Sequence, residues 1–217
     1  MKRVFDLDGP LLGFLGRIAD FFILNIIFMI TCIPIVTIGP ALTALYTITL
    51  KMVKNEEAYI FKSYFVAFKE NFKISFLTGL LLLVALIILG FDYRIVTASG
   101  GDMGAFFQIL FLALIFICLV VGLYVFPYIA RFENGLKASF KNAVLIAIAS
   151  LPWTLALVAL TGGAVVVSIF VIPLQYTILI WFLVGFALLA YGQSFVFRQV
   201  FAKYEPKEDA EEEQEQD

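Results

Sequence analysis

The sequence has no histidine among its 217 residues. Imidazole general bases, imidazole metal ligands and Ser-His or Cys-His nucleophile pairs are therefore all excluded. Cysteine is almost missing too. Cys32 and Cys118 both fall inside apolar runs, where a thiol acts as a small buried hydrophobe rather than half of a disulfide or a metal ligand. Charge is also scarce: Asp, Glu, Lys and Arg make up 15% of the chain and apolar types 62%, whereas soluble domains lie nearer a quarter and a half. No GxxxxGK[ST], HExxH or zinc-spaced cysteine pair occurs, so the chain presents neither a nucleotide-hydrolysing loop nor a recognisable metal site. Chains of intramembrane acids, arginine ladders and filter-like glycine runs are missing as well. No enzymatic activity, cofactor or nucleic-acid partner is expected.

What is abundant is phenylalanine, 24 residues of it, in a chain of mean hydropathy +1.00. This is the composition of a membrane protein, with the bilayer as its first partner. The N-terminal "MKRVFDLDGPLLGFLG" carries Asp6 and Asp8 and has no small-residue cleavage site, so it does not read as a removable signal peptide. The C-terminal run Glu205–Asp217 carries eight acids and one lysine, leaving fourteen bases and nine acids in a body of net charge +5. So polar a segment cannot bury enough apolar surface to fold. The expected organisation is one helical membrane domain over 1–204 and a disordered acidic tail over 205–217.

At about 1.5 Å of rise per residue, about 20 apolar residues span the hydrocarbon core. Ile74–Phe91 and Ala105–Pro127 meet this criterion and form a hairpin through the loop Asp92–Gly104. Ala143–Phe197 is too long for one crossing and divides near Ile172, giving a long helix, kinked at Pro152, and a second helix rich in aromatics. The opening region, 18–53, is ambiguous, because "TCIPIVTIGPALTALY" places Pro34, Gly39 and Pro40 inside it.

Charge constrains this region. Fourteen of the fifteen basic residues fall in four clusters, and Arg94 alone lies outside them. Keeping the clusters on the cytoplasmic side requires the chain to reverse between Arg17 and Lys51. Pro40 suits the first turn of the returning helix. The legs either cross fully as two short helices, the form favoured here, or make a re-entrant hairpin, whose irregular backbone is tolerated where protein or water satisfies it. The fold class is all-α: a polytopic bundle of about six membrane helices, the first two short and joined by a Pro/Gly turn, with both termini cytoplasmic.

Two basic segments also carry helical apolar stripes. One has Phe61, Tyr64, Phe65, Phe68 and Phe72; the other has Ile129, Phe132, Leu136 and Phe140. Both are expected to be interfacial amphipathic helices. They end in "KENFK" and "KASFK", which suggests an internal repeat, although any helix on an anionic leaflet would place lysine and phenylalanine in this way. Among intramembrane polar groups, Asp20 and Asn25 stand out. Asp20 lies three residues after Arg17 on one helix face, so it forms either an interfacial ion pair, the reading favoured here, or a proton or cation site.

The stretch Leu24–Lys73, with its Pro-Ile-Val-Thr-Ile-Gly segment followed by Ala-Leu-Tyr, resembles the signature half of the YesL family, small bacterial membrane proteins of undefined biochemical function. "FPYIARFENGLKASFKNA", Phe126–Ala143, is similar to that family's second recurring segment. The matching positions are Asn25, Pro34, Thr37, Gly39, Ala44, Leu45 and Tyr46, then Pro127, Arg131, Phe132, Glu133 and Asn134. The acidic tail lies outside the pattern. The resemblance implies a place in the plasma membrane beside carbohydrate ABC importers, and hence an accessory subunit that contacts importer permeases and supports sugar uptake. An independent small-solute carrier or channel is the alternative, and oligomers are conceivable. Candidate partner or solute residues are Asp20, Asn25, Pro34, Thr37, Gly39, Pro40, Tyr46, Arg131, Glu133 and Asn134. The family carries over no catalytic residue.

Overall fold

A computed structural model describes residues 10–56, 59–99 and 101–204; the acidic run 205–217 lies outside them. The described residues contain helices and no strand. Helix α1 (Pro10–Thr31) ends at a single 3₁₀ turn (Ile35–Thr37), and α2 (Ile38–Val53) returns. Next come α3 (Ile60–Glu70), α4 (Phe72–Ser99), α5 (Gly101–Arg131) and α6 (Leu136–Ala149). Helix α7 (Leu151–Val166) runs on through a π turn at Val167–Val171. After Pro173, α8 (Leu174–Ile180) leads through a second π turn, Trp181–Gly185, into α9 (Phe186–Phe201).

Among the described residues, five helical stretches are long and apolar enough to cross a membrane: 35–53, 72–98, 104–131, 151–171 and 174–201. With the 22-residue α1 before them, they make a multi-pass helical bundle. The division of the last apolar region at Ile172 is where the sequence placed it. Three expectations change. The loop at Asp92–Gly104 is mostly helix, because α4 continues to Ser99 and α5 begins at Gly101. The long kinked helix from Ala143 is two helices, interrupted at Ser150 one residue before the α7 start that carries Pro152. The second interfacial helix is not continuous: Ile129 lies in the last turn of α5, Phe132 lies in the break at 132–135, and Leu136 and Phe140 belong to α6. Gly135 precedes α6 as its N-cap, in extended backbone.

The core is built around α2. In its span 56% of residues are buried, against 17% in each of the spans on α4 and α5. It packs on α9, α3, α4 and α5. Its C-terminal end closes with paired bonds, Asn55 N–H to Met52 O at 3.2 Å and Glu56 N–H to Lys51 O at 3.1 Å, with Asn55 at φ 56°. This is a Schellman ending, and asparagine tolerates the left-handed conformation it needs. The Asn55 side chain also accepts from Arg17 Nη2 at 3.0 Å, which fastens the lower part of α1 to the end of α2.

Small residues set how closely α2 and α4 approach. A Cβ on Gly39 would lie 2.3 Å from the Ser75 carbonyl oxygen, and one on Gly79 would lie 3.3 Å from the Gly39 Cα. Thr43 and Ser75 hydroxyls bond at 2.8 Å beside this contact. Close backbone approach with a hydroxyl bridge is how membrane helices associate where lipid removes the usual hydrophobic drive.

The depth of the α1–α2 tip follows from its neighbours. Gly39 sits against Gly79, and Ile35 and Val36 share a cavity wall with Leu83 and Leu86. On α4, Leu83 is midway between Lys73 and Arg94, about 15 Å of helix from each. The same level appears on the other side, where Phe28 meets Phe186 at a ring distance of 5.4 Å, midway between Pro173 and Arg198. The tip therefore reaches half the depth of the long helices. Of the two forms open to residues 18–53, this selects the re-entrant hairpin over two short crossings. Four full spans remain, α4, α5, α7 and α8–α9, and the basic clusters still share one side.

Candidate functional site

Between the hairpin tip, the α4–α5 pair and the α7–α9 pair lies a cavity of about 540 Å³. Leu42 and Leu45 of α2 form one wall, Leu83 and Leu86 of α4 another, and Phe116 and Leu119 of α5 a third. Its polar floor is a short chain of bonds. The buried Tyr46 hydroxyl donates to Gln193 Oε1; Gln193 Nε2 donates to Thr161 Oγ1 at 2.8 Å; Thr161 donates to the Leu157 carbonyl at 2.7 Å. One network thus joins α2, α9 and α7, and among the described residues no charged one lines the cavity. Such a site has the size and apolar character of a ligand pocket, without polar groups free to fix a hydrophilic solute.

The residues singled out in the sequence do not gather in one site. Asn25, fully buried, donates from Nδ2 to the carbonyls of Trp181 (3.0 Å) and Phe182 (2.7 Å), while its Oδ1 accepts from Ala187 N–H at 3.1 Å. The π turn at Trp181–Gly185 disrupts the regular α ladder, and the asparagine bonds the carbonyls beside it from across the bundle. Thr37 donates its hydroxyl within 2.7 Å of the Thr31 and Pro34 carbonyls and so closes the 3₁₀ turn. Pro40 is buried in the first turn of α2, as its ring favours. Gly39 serves the α2–α4 contact, and Tyr46 serves the cavity floor.

Asp20 lies elsewhere, in a second pocket of about 360 Å³ whose lining mixes Arg17, Asn55 and Glu56 with Phe21, Met52 and Tyr191. The expected Arg17–Asp20 ion pair is not formed among the described residues; the guanidinium donates to Asn55 instead. Arg131, Glu133 and Asn134 stand at the end of α5. There Asn134 Nδ2 (2.8 Å) and Asn142 Nδ2 (2.7 Å) both donate to the Tyr128 hydroxyl, while the Tyr128 ring stacks on Phe132 at 4.8 Å. Glu133 is exposed. Tyr128, Asn142, Asn55 and Thr161 were not singled out in the sequence, because one polar residue within or beside an apolar run carries no sign of its partner.

Comparison with known proteins fits this geometry. A family model described as "Protein of unknown function, DUF624" matches residues 21–93, from the upper part of α1 through the tip, α2 and α3 to most of α4. The uncharacterized protein YesL of Bacillus subtilis (strain 168) is 27% identical over 155 residues, which cover 71% of this chain and 73% of that protein. No solved structure matches. The matched stretch contains the whole re-entrant hairpin and its glycine contact with α4, and over it the chain is similar to YesL and to the DUF624 family.

Proposed function

We propose that the protein is an accessory integral-membrane subunit that associates with a bacterial carbohydrate ABC importer in the plasma membrane, with both termini cytoplasmic. The observation that carries the reading is how the polar groups are used. The intramembrane hydroxyls and amides described above bond to one another or to backbone, and the large cavity is apolar. A sugar crossing this bundle alone would find few groups to replace its water, at a cost of several kcal/mol for each unpaired polar group. The surfaces of α4 and α5 fit a partner better. They are mostly uncovered by the rest of the bundle and present long apolar faces such as Ile88, Phe91, Ile109 and Leu112. The importer as partner class comes from the family resemblance.

The test is purification of the native protein from its own membranes. Stoichiometric permease and ATPase subunits are expected with it, and their consistent absence overturns the reading. Proteoliposomes holding the protein alone are expected to show no flux of sugars. Flux above empty vesicles would favour an independent carrier instead.

A further inference from the structure

We infer that the cavity beneath the hairpin tip is a binding site for one hydrocarbon chain of a bilayer lipid. Depth identifies the medium around it. The tip stands level with Leu83, midway between Lys73 and Arg94, so the cavity lies where acyl chains, not headgroups or water, fill space. The chemistry agrees: its three principal polar groups, Tyr46, Gln193 and Thr161, bond to each other, and its walls are leucine and phenylalanine. A gap of this size left unfilled would forfeit the dispersion contacts of its whole lining.

Shape favours a slender occupant. The space of about 540 Å³ lies between three groups of helices, and a single flexible chain, unlike a helix about 10 Å across, has no minimum width to accommodate. Entry is sideways, between the tip and α5, where Ile35 (65% exposed), Leu119 (55%) and Phe116 (53%) form an uncovered rim.

Two neighbouring glycines give a controlled test. A Cβ on either Gly162 or Gly163 meets nothing within 4 Å, yet only Gly162 lines the cavity. The full chain is reconstituted in vesicles of phosphatidylethanolamine and phosphatidylglycerol that contain a phospholipid with a mid-chain photoreactive group. After irradiation, crosslinked peptides are mapped and lipid retained through detergent washing is measured. The wild type and Gly163→Phe are expected to carry label on Phe116–Leu123 and Leu42–Tyr46 and to retain lipid. Gly162→Phe should lose about ten-fold of both, a difference of about 1.4 kcal/mol.

Gly122→Leu is the second variant if Gly162→Phe does not fold. Gly122 also lines the cavity, and its Cβ would meet Leu82 Cδ1 at an ordinary 3.6 Å. Equal labelling of both Gly162 and Gly163 variants, or label confined to the outer faces of α4 and α5, overturns the inference. So does chain-to-chain crosslinking through the cavity residues, which would make a second copy the occupant. Only the protein and lipid are present, so failure here leaves the importer reading untouched.

Discussion

Single residues here matter through backbone groups more than through reactivity. Asn25 satisfies two carbonyls and one N–H of another helix. Interhelical side-chain bonds in membranes average only about 0.6 kcal/mol, but orphaned backbone groups cost more. Asn25→Leu is expected to lower stability by about 2 kcal/mol, read as a lower unfolding midpoint in detergent; an unchanged midpoint would show that other groups bond that turn. Gly39→Ala is expected to cost about 1–3 kcal/mol, because the atom a Cβ would meet at 2.3 Å is the Ser75 backbone, which has little freedom to give way. Gly163→Ala, with open space around it and a gain in helix propensity, is expected to be neutral or stabilising by the same assay.

At the scale of elements, the α1–α2 hairpin is defined by its depth. Ile33, Ile35 and Val36 at its tip are largely exposed within the bundle, which suits contact with hydrocarbon. In a Cys32→Ser, Cys118→Ser background, Ile35→Cys is expected to resist membrane-impermeant maleimide from either side. Asn55→Cys should react from one side only and Thr97→Cys from the other. Labelling of Ile35→Cys from the Thr97 side would mean that the hairpin crosses. Helix α3 belongs to the same unit: its buried Tyr64 bonds the Thr31 hydroxyl at 2.7 Å and the Ala41 carbonyl at 3.3 Å, tying α3 to both legs. Its other aromatics continue as a ladder, Phe61 to Phe65 at 5.0 Å and Phe68 to Phe72 at 5.6 Å, toward the start of α4.

For the whole molecule, the Tyr46–Gln193–Thr161 network is the junction of α2, α9 and α7. Gln193→Leu leaves the buried Tyr46 hydroxyl without its partner and is expected to cost about 1–3 kcal/mol, seen as a lower thermal midpoint. Lipid retention should hold in the same variant, since its cavity floor becomes more apolar. A variant of normal stability that no longer retains lipid would instead make Gln193 part of the binding site.

The sequence alone determined the class of the fold and the parity of its crossings. Its apolar runs are long enough that only helices can satisfy their backbone in lipid, and its basic clusters fix the parity of the crossings. It also located the reversal at Pro34–Pro40, because proline and glycine act through local backbone. Depth was not legible there: two short crossings and a re-entrant hairpin share the same parity, length and composition, and only Gly39 resting on Gly79 and Phe28 on Phe186 separate them. The partners of Asn25, 156 to 162 residues away, were hidden for the same reason. So was the cavity, whose walls come from α2, α4, α5, α7 and α9. Each of its leucines and phenylalanines reads in sequence as ordinary lipid-facing surface, and only the packing of distant helices decides which of them enclose a space.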